Sequence, residues 1–450
     1  MGVILLLALA VRWWGIGSQS LWHDEVLTTK SATAPLGQLF AAVERNENKP
    51  PLYFFVMNLW VGVAGLGDVA LRLPSAIFGV ASVGVIFLLG RELFDERVGL
   101  VAALLLALSR FHISYSQEAR TYSLMFLLML LACWFAVRMI KRKSAIDQVG
   151  YVVSAALAMW AHPFAAFALL AMNVFYVACY AFGPRPATDL WRWIILQFAF
   201  SLAFWPWLSR TWRVVQTGLP WIVESTSFPQ AMLSYAGSVM LFGLLIVLSL
   251  VAIGYGIARR ERGILLLILL IILPILGPLA FTSRLYQTFI PRYGMIVVGA
   301  WLLLAAYGAV RLRAWATALL CAAYVAISFA HFRPGYGNYP DAEHKADVRA
   351  AAHHLITSAG AGDAVSIAGR PLFQLPLNHY LRGQDLRILT RPDEADPAQA
   401  PRLWVLYGLP EGSGRVTPPP GYEPVDYSDF DGVVLYQFAA TAPVRTPARP

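Results

Sequence analysis

Five short stretches of this 450-residue chain hold side chains that could do chemistry: LWHDE (21–25), NKPPLYF (48–54), SQEAR (116–120), AHPF (161–164) and IPRYG (290–294). Asp24 and Glu25 follow the first apolar run. A carboxylate there suits a general base that takes a proton from an attacking hydroxyl, or an acid at the positive end of a helix. Glu118 and Arg120 precede another apolar run, at a helix start. The dipole favours Glu118 there and opposes Arg120, so Arg120 calls for an anionic partner, either Glu118 or a phosphate. Lys49 and Arg292 sit at membrane borders, where a long cation reaches lipid phosphates or binds a substrate phosphate. His162 is a lone imidazole between two apolar runs; it is a structural residue, or a ligand for a divalent metal with acids brought from elsewhere. Tyr53, Tyr122 and Tyr293 accompany these groups as candidate walls of a substrate cavity. A base with several cations is the equipment for group transfer from a phosphate-linked donor. No HExxH helix or Ser-His-Asp pattern favours hydrolysis instead.

The elements that must position these residues are helices in a membrane. Hydrophobic residues make up 58% of the chain and charged residues only 14%, against about 25% charge in soluble domains. Apolar runs begin near residues 1, 52, 73, 98, 121, 150, 164, 193, 232, 264, 293 and 314. The first run lacks the basic start and small-residue cleavage site of a signal peptide, so it reads as a retained helix. Basic clusters such as RMIKRK, ARRERG and VRLR fall between runs, and the positive-inside rule puts them in the cytoplasm. They serve as topology signals, so the net charge of +9 does not imply a nucleic-acid partner. All the clusters fall on one side only if the run after Pro50 and Pro51 lies in the interface. The expectation is then eleven spans, a cytoplasmic N-terminus, and Asp24, Lys49, Glu118, His162 and Arg292 on the outer face.

The tail changes character. Residues 1–331 read as a transmembrane domain and 332–450 as a small extracytoplasmic α/β domain with a disordered end. HKADVRAAAHHLITSAG predicts a helix closed by Gly360; DAVSIAG, LRILT, RLWVLYG and GVVLYQF predict strands. The three cysteines lie inside apolar runs and suggest no disulfide framework. No phosphate-cradling glycine loop is present.

The motifs LWHDE, NKPPLYF and AHPFAAF, with the stretch from LRLPSAIF (71–78) through SQEARTYSL (116–124), resemble bacterial glycosyltransferase family 39-type membrane enzymes. These are related to protein O-mannosyltransferases and to the aminoarabinose and galacturonic acid transferases of lipid A. The resemblance is dense over residues 18–170 and implies the GT-C fold: an all-α polytopic protein with interfacial helices in its first external loop. It implies an inverting transferase using a polyprenyl-phosphate sugar, hexosyl or pentosyl, on the outer side of the inner membrane. The acceptor would be an envelope molecule, whether lipid A or another lipid, a polysaccharide or a protein. Asp24 would be the base with Glu25 beside it, Glu118 a second acid, and Lys49 the donor-phosphate cation, with Arg120 and Arg292 added from position. Some relatives bind a divalent metal, which would fall near His162. A transporter or lipid flippase is the alternative; it predicts charges deep in mid-span and internal repeats.

Overall fold

The computed structural model describes residues 1–47, 49–142, 144–182, 186–217, 228–281, 290–330, 345–368, 371–408 and 416–441. It divides into two compact units, one comprising Met1–Ile16 and Thr28–Pro334, the other Gly17–Leu27 and Gly335–Pro450.

The first unit is helical. Near its start are α1 (Gly2–Trp13), α2 (His23–Ala32, which begins in the other unit's segment), α3 (Leu39–Asn46) and α4 (Leu52–Ala64). There follow α5 (Asp68–Leu93), α6 (Glu96–Ala107), α7 (Arg110–Ser116), α8 (Tyr122–Arg142), α9 (Ala145–Ala161) and α10 (Ala165–Ala181). The last six are α11 (Ala187–Thr217), α12 (Phe228–Ala236), α13 (Val239–Arg259), α14 (Arg262–Phe281), α15 (Met295–Val310) and α16 (Ala314–Ala330). Among the described residues, α5, α8, α13 and the stretch Pro291–Val310 are long and apolar enough to cross a bilayer, and α6 with α7 makes a fifth span if that bent pair is one. The remaining expected spans correspond to shorter apolar helices and to α11, whose 31 residues include Pro206. The chain is a multi-pass membrane protein. Helix α4 has 13 residues and α1 has 12, so each rises about 20 Å or less, short of the roughly 30 Å hydrocarbon layer.

Two expected runs are broken. The run from residue 98 to 113 bends by 63° between α6 and α7. A break inside apolar surroundings leaves carbonyls without partners, and a distant side chain supplies them. The Arg12 guanidinium donates to Leu106 O at 3.2 Å and Ala107 O at 3.1 Å. Gln117 returns the support, its Nε2 donating to Trp14 O at 2.8 Å and Arg12 O at 3.1 Å. The segment carrying Glu118 and Arg120 is thereby tied to the end of α1. The run from 232 to 257 is likewise split, between α12 and α13, at Gly237 (φ 85°). Helix α15 lies at the centre, with every residue from Met295 to Ala309 buried. Gly308 lets it approach α13 closely, since a Cβ there would meet the Leu248 carbonyl oxygen at 2.0 Å.

The second unit is a five-stranded sheet of order β2-β1-β3-β5-β4, built from β1 (Ala364–Ala368), β2 (Arg387–Ile388), β3 (Arg402–Gly408), β4 (Tyr422–Phe430) and β5 (Val433–Ala440). β1 pairs parallel with β2 and β3, and β5 antiparallel with β3 and β4. Helices α17 (Val348–Ser358) and α18 (Gln374–Tyr380) pack on one face, where Leu355 and Leu377 meet Ile367, Trp404 and Leu435. Buried Asp363 fixes the entry to β1 by accepting from Arg402 Nε at 3.1 Å and Trp404 Nε1 at 3.0 Å. The four strands expected from sequence are present, and β4 is an addition. It is an exposed edge strand with Pro424 at an irregularity in its pairing, and Pro424, Asp426 and Asp429 hid it, being residues of low strand propensity. The expected boundary at 331 and the expected disordered end (442–450) lie outside the described residues.

Candidate active site

Three non-helical connections in the first unit bring the predicted cations together: Lys49 with the Pro pair ahead of α4, the 117–121 segment before α8, and His162 between α9 and α10, with Arg292 leading into α15. Lys49, Arg120, Tyr53, Tyr122 and His162 are buried. Lys49 Nζ donates to the Tyr122 hydroxyl at 3.2 Å and lies 5.2 Å from that ring's centre. Arg292 faces the same ring at 5.9 Å and its neighbour Tyr293 at 5.9 Å. Tyr293 packs at a tilt against His162, with ring centres 4.7 Å apart and planes 44° apart. Cation–π contact of this kind holds a charge in an apolar setting without neutralising it.

Arg120 is held more firmly. Its two terminal nitrogens donate to Glu47 Oε1 at 2.6 Å and Oε2 at 3.1 Å, and one also donates to Thr28 Oγ1 at 2.9 Å. The carboxylate expected for Arg120 was Glu118; the partner here is Glu47, 73 residues earlier in the chain. Fork-to-fork pairing fixes both planes. Tyr53 reaches this group through its backbone: Ser75 Oγ donates to Arg120 O at 3.2 Å, so Tyr53 must donate to Ser75, 2.9 Å away. Glu118 is buried in the same turn, where its carbonyl accepts the Arg120 N–H at 2.7 Å.

His162 sits among positive charges. Burial first, then Lys49, Arg120 and Arg292, hold its imidazole well below its usual pKa. Nδ1 accepts the Phe164 N–H at 3.3 Å, which leaves the proton of the neutral ring on Nε2. A divalent metal requires acids or further imidazoles, and among the described residues no group of three His, Cys, Asp or Glu gathers anywhere. Ringed by cations, His162 does not fit the metal ligand expected from sequence.

Asp24 and Glu25 belong to the second unit. The first turn of α2 contains both acids, and their settings differ. Glu25 is fully buried; its Oε2 lies 3.6 Å from Lys345 Nζ and accepts the Trp22 N–H at 3.4 Å. That is the backward reach of a capping acid three residues into a helix. Asp24 is only half-buried. Around them the C-terminal unit binds the preceding loop. Arg349 donates to Gly17 O and Ser18 O, both at 2.9 Å. Ser20 Oγ donates to Asp347 Oδ1 at 2.8 Å and accepts from Arg349 N at 3.0 Å. The Leu21 N–H donates to the Tyr380 hydroxyl at 2.7 Å.

Glu47, Thr28 and Ser75, and in the second unit Lys345, Asp347, Arg349 and Tyr380, are the residues that sequence reasoning did not single out. Only Asp347 carried a local signal, as an N-cap accepting from Ala350 N at 3.1 Å.

A family model described as dolichyl-phosphate-mannose-protein mannosyltransferase matches residues 48–209, a stretch that includes Lys49, Glu118, Arg120 and His162. Among solved structures, ArnT from Cupriavidus metallidurans in the apo state aligns over 97% of this chain and 97% of its own, with a TM-score of 0.61 and 13% identity. The same protein bound to undecaprenyl phosphate gives a TM-score of 0.60, 14% identity and the same coverage. An oligosaccharyltransferase from Archaeoglobus fulgidus in its apo form gives a TM-score of 0.56 and 11% identity, covering 87% of this chain and 65% of its own. A sequence search of curated proteins finds no match. The chain has the fold of the GT-C membrane glycosyltransferases, the class its sequence resembles.

Proposed function

We propose that this protein transfers a hexosyl or pentosyl group from a polyprenyl-phosphate donor to an envelope acceptor at the extracytoplasmic face of the inner membrane. The acceptor is a lipid such as lipid A, a polysaccharide or a protein. The observation that carries this reading is the convergence of Lys49 and Arg292 on Tyr122, with Arg120 close enough that all three charges act on His162. Buried and half-buried cations at the ends of membrane helices attract an anionic group at the depth of a lipid phosphate. The full-length likeness to a protein solved with undecaprenyl phosphate agrees with it. No observation favours a transporter.

In the reaction the acceptor oxygen attacks the anomeric carbon from the face opposite the phosphate. The bond from that carbon to the phosphate oxygen breaks, and configuration inverts. Asp24 takes the hydroxyl proton; Lys49 and Arg292 bear the charge that develops on the departing polyprenyl phosphate. Arg120 adds positive potential, but its fork is committed to Glu47, so it acts by presenting the 117–121 turn as much as by touching phosphate. Tyr122 and Tyr293 wall the cavity and orient the two cations, and Tyr53 braces it through Ser75. Glu25 caps α2, and Glu118 is the reserve for the base.

The test is transfer by lipid-reconstituted protein offered a panel of polyprenyl-phosphate sugars with a membrane extract as acceptor. Wild type should release polyprenyl phosphate and label the extract, and Asp24→Asn should lose at least about 100-fold in rate. Equal rates would remove Asp24 as base. Release from no donor would end the assignment.

A further inference from the structure

The geometry points to the C-terminal unit as the device that sets the position of the base, with Arg349 as its principal positioning residue; this rests on Asp24 being that base. The segment before α2 would be loose by itself. It follows Gly15, which adopts φ 73°, and its backbone groups have no ladder or helix to join. Four of its residues are instead bound by the C-terminal unit. The Arg349 fork takes the carbonyls of Gly17 and Ser18 together. Ser20 is held between the Asp347 carboxylate and the Arg349 N–H, and the Leu21 N–H ends on Tyr380. Lys345 completes the grip one turn further, 3.6 Å from Glu25 and 5.7 Å from the centre of the Trp22 ring.

These partners come from three places in the C-terminal unit: Lys345 ahead of α17, Asp347 and Arg349 at its start, and Tyr380 at the end of α18. Contacts on Gly17, Ser18, Ser20, Leu21 and Glu25 leave the first turn of α2, and so Asp24, little freedom to turn or shift. Arginine is required for the main contact because one rigid planar group must meet two successive carbonyls; lysine presents a single charge. Misplacing a reacting group by about 1 Å can cost about 100-fold in rate. The C-terminal unit thus contributes by holding the segment that carries the base.

The test uses the full chain in liposomes, comparing wild type with Arg349→Met, Arg349→Lys and Tyr380→Phe. Three quantities are read: kcat and KM for transfer, binding of polyprenyl phosphate alone, and amide hydrogen exchange of residues 17–27. Arg349→Met should speed exchange in that segment at least tenfold and lower kcat by about 10- to 100-fold, with polyprenyl-phosphate binding unchanged. Arg349→Lys should recover little. Tyr380→Phe, which keeps the ring and removes one acceptor, should lower kcat several-fold. A loosened segment with kcat within twofold of wild type would overturn the positioning role, as would a segment that stays protected in Arg349→Met. Loss of polyprenyl-phosphate binding in step with kcat would mark general damage and also overturn it. If wild type transfers from no donor, the functional reading fails and takes the positioning role with it; an active wild type beside fully active variants sinks only the role of Arg349.

Discussion

Two buried carboxylates, Glu47 in the helical unit and Glu25 in the other, each meet a cation, and they are built differently. Glu47 receives both terminal nitrogens of Arg120 at 2.6 and 3.1 Å, with side chains only 2% and 3% exposed. Glu25 Oε2 lies 3.6 Å from Lys345 Nζ, and the same oxygen caps the Trp22 N–H. A planar fork on a carboxylate fixes orientation, whereas an ammonium does not. The difference separates the two tasks. Arg120 is locked by a few strong bonds, while the segment bearing Asp24 is held by many moderate ones spread along the loop.

That contrast can be broken most forcefully at Glu47. Removing one member of a buried ion pair costs about 3–5 kcal/mol, so Glu47→Gln should lower thermal stability in detergent sharply. Lys345→Met should cost clearly less, because Lys345 retains solvent contact and Glu25 still caps its helix. Equal losses would show that the two pairs are not different in kind.

A second division runs between neighbours. Asp24→Asn should lose at least about 100-fold in transfer with stability unchanged, whereas Glu25→Gln, which can still accept the Trp22 N–H, should keep most of its transfer rate. The reverse result would exchange their roles. Within the cation cluster, Lys49→Met should weaken binding of polyprenyl phosphate by about 10- to 100-fold, the worth of a hydrogen bond to a charged group. Arg120→Met should act mainly on stability.

Much of the helical unit was legible because apolar runs report burial directly. Helices α5, α8, α9, α10 and α15 each lie on a run read from sequence. What escaped has a common cause. The α6–α7 break depends on Arg12, about 95 residues away; the partner of Arg120 lies 73 residues off, and the grip on Ser20 comes from 327 residues away. A contact between two polar residues so far apart leaves no period and no spacing in either stretch. Glu118 stood beside a phosphate as the candidate partner of Arg120 because proximity in sequence was the only available guide to a carboxylate. Edge strand β4 escaped for the opposite reason, since its local signal was misleading.

The smallest expected effect tests the electrostatics of the cation cluster through His162. Its pKa is held well below the usual value by burial and by Lys49, Arg120 and Arg292, so the folded protein keeps the ring neutral while the unfolded chain protonates it near pH 6.5. Below that pH the unfolded state binds the extra proton, and stability falls as pH is lowered. The stabilisation is complete above pH 6.5, and the loss between pH 6.5 and 5.5 from this one group is about 1 kcal/mol. His162→Asn places an acceptor near the Phe164 N–H and cannot titrate, so its stability should fall less across the same interval. Chelation with EDTA should leave wild-type transfer unaltered, since among the described residues no group of three His, Cys, Asp or Glu gathers about this ring to hold a divalent ion. An identical pH dependence in wild type and His162→Asn would mean that the imidazole takes up its proton alike in the folded and unfolded states. Burial and the neighbouring cations would then not be acting on the ring, and the cluster would hold less surplus positive charge for a phosphate than the proposal needs.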